Sequence, residues 1–277
     1  MTTTRLRREV RQRVAGDVAS TARAAPKALS GSGIQARPPA AESETDLPNG
    51  YRERASEIAG AVVWTRDIAP GSSTPILPDG CMDLLVIADR LVVAGPDSRA
   101  QAPSAGPATR VTGIRFYPGT APGLLGVPAR EVRDVRVELA ELWTRDKFRR
   151  ARDLFGAAPT AEAGLESIAR WCAGEADPAN PILGRTVTEL AAGASAADTA
   201  ALFELTPRHL HRICLDAFGY GPKTLSRILR MQRALELARA GVPLAEAAFR
   251  AGYADQPHLS RDVRALTGMP LTRLLGR

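Results

Sequence analysis

Two short segments near the carboxyl end hold residues suited to hydrogen bonding with a polyanion. In TPRHLHRICLDAFG (206–219), Arg208, His211 and Arg212 recur at three- and four-residue spacing, opposite Leu210, Ile213, Cys214, Ala217 and Phe218. A helix of that period turns the cations and the imidazole to one side and the apolar residues to the other. In DQPHLSRDVRALTG (255–268), Gln256, His258, Ser260, Arg261 and Arg264 stand off a stripe of Leu259, Val263 and Leu266. Guanidinium groups fork onto guanine O6 and N7 or onto phosphate, and imidazole, amide and hydroxyl groups donate or accept at base edges. The chemistry on offer is recognition of double-stranded DNA.

A different chemistry is suggested by Asp79, Cys81 and Asp83 in LPDGCMDL. A thiolate near carboxylates invites a nucleophilic or redox reading. The only histidines, His209, His211 and His258, lie far along the chain, so none stands by in sequence as a base. Neighbouring carboxylates also raise a thiol's pKa. The favoured reading is Pro78-Asp79-Gly80 as a hairpin turn and Cys81 as a small buried apolar group. Arg115 in RVTGIRFY is read as an exposed strand residue rather than an effector contact. Trp64, Trp143 and Trp171 are read as core or domain-interface aromatics.

No metal site or cofactor is expected. His209 and His211 are two apart, which on a helix points them to nearly opposite faces, and Cys214, three after His211, falls on the apolar stripe. Cys81, Cys172 and Cys214 are odd in number and widely spaced, which fits neither a disulfide framework nor a CxxC zinc site.

The elements that must position the cationic residues are legible around them. Thr206 is suited to capping a helix that begins on Pro207, and Gly219 to ending it. Asp255 is placed to cap the second, and Gly252 supplies a tight turn before it. An Ala-rich segment precedes each, so residues 196–219 and 244–268 both read as helix, turn, helix. Between them, 222–241 starts on Pro222 and stops at Gly241, a helix of about eighteen residues or about 27 Å. Such a rod can hold two reading helices about one DNA turn, roughly 34 Å, apart. Its outer face carries Arg227, Arg230 and Arg233, expected at phosphates together with Arg264.

Charge follows the same division. The chain carries 37 Lys plus Arg against 30 Asp plus Glu, a net charge of +7. Residues 182–277 hold thirteen cations and eight acids, residues 1–48 eight and five, and the middle is near neutral. A basic surplus suits a polyanionic partner. No apolar run approaches a membrane span, so no membrane partner is expected, and a reducing cytoplasm is the default location.

Three regions emerge. Residues 1–48 are rich in Ala, Arg, Ser, Thr, Gly and Pro, and read as a disordered basic tail that need not belong to the functional protein. Residues 49–174 read as a small β-barrel with bracing helices. Its strands are expected at 61–68, 82–88, 91–95 and 110–117, the last half-buried by its period-two alternation. Residues 119–173 turn helical and are expected to brace the two domains, with 175–181 as the joint. Residues 182–277 form an all-α domain of two helix-turn-helix units joined by the long helix.

The C-terminal region of about 95 residues, most clearly from TPRHLHRICLDAFG through PLAEAAFRAGYADQPHLSRDVRALTGMPLTRL, resembles the AraC-type (AraC/XylS) family of bacterial helix-turn-helix transcription regulators. Carried over by position, the resemblance implies that Arg208, His211 and Arg212 face bases or adjacent phosphates in one groove segment, and Gln256, His258, Ser260 and Arg261 in the next. It departs from the family at Glu204, where a Gly is usual, at Val263, where an aromatic is common, and at Ala247, where a larger aliphatic is usual. ILPDGCMDLLV (76–86), VVAGP (92–96) and GIRFYPGTAPGLLGVPAREVRDVRVELAELW (113–143) resemble the cupin-like β-rich sensor or dimerisation domain often placed ahead of such regions.

The expected function is therefore sequence-specific transcription regulation, modulated by a ligand or dimer contact on the N-terminal domain. A homodimer, a small-molecule effector and RNA polymerase stay open as partners. Two alternatives are carried: an enzyme whose β-barrel domain is merely targeted to DNA, and a ligand-independent architectural DNA binder.

Overall fold

The computed structural model of this chain describes residues 45–47, 50–70, 75–102, 108–177 and 180–276. Most of the expected basic tail, residues 1–44, lies outside them. Its last part does not behave as a tail: Thr45–Leu47 form strand β1, paired with β2 (Tyr51–Ala55). Ladder hydrogen bonds there override a composition poor in apolar residues.

The remaining strands are β3 (Ala61–Ile68), β4 (Met82–Ile87), β5 (Arg90–Ala94), β6 (Thr109–Phe116) and β7 (Arg136–Glu138). They form one antiparallel sheet in the order β1-β2-β3-β6-β4-β5-β7. The four strands expected from sequence are therefore present within a residue or so of their expected limits. The segment 137–143, expected as helix, begins as β7 and becomes a single turn, α2 (Leu139–Leu142).

Helix α4 (Ala161–Glu175) covers one face of the sheet, where Val63, Leu84, Ile114 and Phe116 meet Leu165, Ile168 and Cys172, and α3 (Arg145–Gly156) packs on α4. Thr144 and Thr160 cap these helices through their side chains. Both pack on the β-rich domain itself instead of bridging it to the next one.

Strand β6 is not half-buried, as its alternation suggested. Val111 and Gly113 on the opposite face are buried too, because that face has a cluster of its own with Trp64, Leu85, Val92 and Ala94. Gly113 makes it possible: a Cβ there would lie 2.7 Å from both Leu85 Cδ2 and Trp64 Cε2.

After α1 (Ala121–Leu125) and a 3-10 turn at Ala129–Glu131, the second domain is all helical. It comprises α5 (Pro181–Ala191), α6 (Ala196–Ala201), α7 (Pro207–Phe218), α8 (Pro222–Arg239), α9 (Leu244–Arg250), α10 (Gln256–Thr267) and α11 (Leu271–Leu274). Leu210, Phe218, Leu225, Ile228, Met231, Leu259 and Val263 share its core.

The domains touch through loops. Segment 129–133 bears on the end of α7: Arg130 pairs with Asp216, and Arg133 Nη1 donates to the Gly219 carbonyl at 3.2 Å. Gln232 of α8 donates to the Pro78 carbonyl at 2.6 Å, and Ala100 N–H to the Leu266 carbonyl of α10 at 2.9 Å. The β-rich domain thus meets both helix-turn-helix units and the helix between them.

Candidate nucleic-acid interface

Each reading helix starts as its sequence dictates. Thr206 accepts from the His209 amide and Asp255 from the His258 amide, and each is followed within two residues by a proline that lacks the surplus donor. Each ends on a left-handed glycine, Gly219 (φ 78°) and Gly268 (φ 71°). Gly219 has a second duty, since a Cβ there would lie 2.7 Å from Pro96 Cγ and 3.2 Å from the Ala129 carbonyl oxygen of the other domain.

On α7, Arg208, His211 and Arg212 are exposed while Leu210, Cys214, Ala217 and Phe218 are buried. The His211 ring lies against the turn into α8, where a Cβ on Gly221 would be 2.5 Å from Nε2. On α10, Gln256, Arg261 and Arg264 are exposed and Ser260 is half-buried. His258 is half-buried because its ring meets that of Tyr253 edge to face at 5.2 Å. Among the described residues, Arg208, Arg212, Arg261 and Arg264 enter no ion pair, so their guanidinium groups are available to an outside anion.

Arg227 and Arg230, expected at phosphates, both have partners within the domain. Arg227 reaches Asp262 of α10 with Nε at 2.7 Å and Nη2 at 2.6 Å. Arg230 stacks its guanidinium 4.8 Å from the centre of the Tyr253 ring and donates to the Gly252 carbonyl at 3.1 Å. An acid and an aromatic on the neighbouring helix-turn-helix unit draw both inward. Arg233 stays exposed. Asp262 is the residue sequence reading passed over, although an acid flanking the apolar positions of Leu259, Val263 and Leu266 was a signal.

The Asp79–Cys81–Asp83 cluster is also differently built. Pro78-Asp79-Gly80 is not a hairpin turn: β4 pairs with β5 and β6, and the segment is a loop leading into it. Asp79 accepts from the Cys81 amide at 2.9 Å. Arg115, expected to be exposed, is only 26% so; it lies 3.2 Å from Asp83 and 3.6 Å from Asp79, with its guanidinium over Trp64. Trp64 donates to Asp83 at 2.8 Å. Burial, only partly offset by Arg115, pushes the Asp83 carboxyl above the usual aspartate range. Burial, reinforced by the Asp79 charge, pushes the Cys81 thiol well up, so the thiolate needed for nucleophilic or redox chemistry is disfavoured. Among the described residues, no group of three or more His, Cys, Asp or Glu could hold a metal ion, and no helix is long and apolar enough to cross a membrane.

Residues 199–277 match a family described as a helix-turn-helix domain, and residues 61–138 match a domain of unknown function (DUF6597). No curated protein matches the chain. Among solved structures it is similar to a probable AraC family transcriptional regulator from Rhodopseudomonas palustris CGA009, at 21% identity over 35% of this chain and 97% of that one, TM-score 0.31. It is also similar to ToxT from Vibrio cholerae, at 9% identity over 78% of this chain and 98% of that one, TM-score 0.44. The two capped helices, their exposed cations and the matched family agree: residues 199–277 form a helix-turn-helix domain, carried behind an antiparallel β-rich domain.

Proposed function

We propose that the chain is a sequence-specific regulator of transcription that reads two successive major-groove segments of one DNA duplex. The observation that carries this reading is the pair of reading helices, α7 and α10, each exposing cationic side chains over a buried apolar stripe and joined by the 18-residue α8. Arg208, His211 and Arg212 serve the first segment, and Gln256, His258, Ser260 and Arg261 the second. Arg264 contacts phosphate, and Arg227 and Arg230 serve as braces through Asp262, Tyr253 and the Gly252 carbonyl.

The β-rich domain regulates: a ligand or a dimer contact on residues 50–175 changes how the two units sit on DNA. Its contacts to Asp216, Gly219, Gln232 and Leu266 support that role, since any shift of the domain is felt at both units. The test is binding of duplex DNA across a salt series, with and without candidate effectors. Affinity that falls steeply with salt and exceeds that for random duplex supports the reading; salt-independent or absent binding would defeat it.

A further inference from the structure

The two helix-turn-helix units are seated on the rest of the domain by different physics. In the first, the residue after the turn is Leu205, which packs against the core, and α7 carries the half-buried Ile213. In the second, the matching places hold Tyr253 and Asp262. Asp262 is 8% exposed, yet it is acidic and sits among Leu259, Val263 and Leu266. Its Oδ1 receives Arg227 Nε at 2.7 Å and Nη2 at 2.6 Å, and its Oδ2 receives the Tyr253 hydroxyl at 3.2 Å.

Tyr253 is tied on both sides. Arg230 of α8 stacks on its ring at 4.8 Å, and His258, in the first turn of α10, meets it edge to face at 5.2 Å. A continuous path of directional contacts therefore runs from α8 through Arg227, Asp262 and Tyr253 to His258. Apolar packing tolerates a helix rotating by some degrees. Charge-assisted hydrogen bonds with two donors on one oxygen do not, because their strength depends on geometry. A buried ion pair adds little net stability over apolar residues of similar size, and its best-attested use is to fix register.

We propose that Asp262 is a positioning residue for the second reading helix, fixing with Arg227 and Tyr253 the rotation of α10 and so which base edges His258 and Arg261 meet. This rests on the DNA-reading function above and names what sets specificity at one of its two contact sets. The first unit has Leu205 and Ile213 in those places and so lacks this network within the domain; the end of its α7 is held instead by Arg130 and Arg133 of the β-rich domain.

The test uses the full chain and its own selected duplex, with base substitutions made separately in the two parts of the site. In the double variant Arg227→Met with Asp262→Leu, both charges are replaced by apolar groups, so neither is left buried and unpaired. The expected result is a folded protein that discriminates as before in the first part, loses tenfold or more of its discrimination in the second, and binds random duplex unchanged. A folded double variant that keeps full discrimination in both parts overturns the proposal. Tyr253→Phe supplies a second reading if the double variant does not fold. It removes only the hydroxyl bond to Asp262, and a several-fold loss confined to the second part is expected, whereas no loss, or an equal loss in both parts, overturns the proposal. If the unsubstituted protein selects no two-part site, the DNA-reading function itself fails, and that outcome is visible before any variant is made.

Discussion

Glu204 and Gly252 occupy the same place in the two turns, each one residue before an amide that reaches back to the preceding helix. Leu205 N–H donates to the Ala200 carbonyl at 3.0 Å, and Tyr253 N–H donates to the Ala248 carbonyl at 2.9 Å. Both residues are left-handed, with φ of 55° at Glu204 and 79° at Gly252. The turn demands a positive φ, and only the second unit meets the demand with glycine.

Glu204→Gly should therefore stabilise the protein. Relief of roughly 1–2 kcal/mol of left-handed strain is partly offset by roughly 0.5–1 kcal/mol of added chain entropy in the unfolded state. A net gain of about 0.5–1 kcal/mol in urea unfolding is expected, and Gly252→Ala should cost about 1 kcal/mol or more.

Arg212→Ala and Arg261→Ala should each cost about 1–3 kcal/mol on the selected duplex and relax discrimination at a local base, measured by fluorescence anisotropy. Arg264→Ala should instead weaken all sequences alike and lower the salt slope by about one. Equal losses on random duplex for Arg212 and Arg261 would reassign them to phosphate.

The thiols should be silent in the native protein. Burial pushes Cys172 up to about 11 and Cys214 up to about 12, and burial with the Asp79 charge drives Cys81 up as well. A thiol reagent at pH 8 should react with none of the three until denaturant is added. Rapid native modification of Cys81 would reopen thiol chemistry in the β-rich domain.

Glu166 makes stability depend on acid. Burial raises its pKa, but the Arg54 side chain, the Glu57 amide and the Ser56 hydroxyl together outweigh burial and hold it below the usual glutamate value. Because the folded-state pKa is the lower one, its contribution is present above the unfolded-state value and is lost as pH falls through the folded-state value. Unfolding midpoints should drop as pH falls below about 4.5. Glu166→Gln should cost roughly 1–3 kcal/mol at pH 7 and flatten that part of the profile.

Gln232→Ala tests the domain contact. Losing the donor to the Pro78 carbonyl should cost about 1 kcal/mol and speed proteolytic cleavage between the two domains. Unchanged cleavage would mean that this contact does not hold the domains together.

Local signals carried much of the fold. Thr206, Pro207, Gly219 and Asp255 announced the reading helices because caps and helix ends depend on a few neighbouring residues, and β-branched runs between turns announced β3 to β6. What escaped depended on distant partners. The inward turn of Arg227 needs Asp262, 35 residues away, and the shielding of Arg115 needs Asp83, 32 residues away. The second buried face of β6 needs Trp64 and Leu85 laid over Gly113. Periodicity within one element reports which side is apolar, and it is blind to what a neighbouring element brings.

In-vitro selection of duplex DNA by the full-length protein at physiological salt shows whether two reading helices work on one duplex. A two-part motif whose halves lie about one helical turn apart, roughly 34 Å, is expected. Enrichment of a single short motif, or of none by a folded protein, would contradict it.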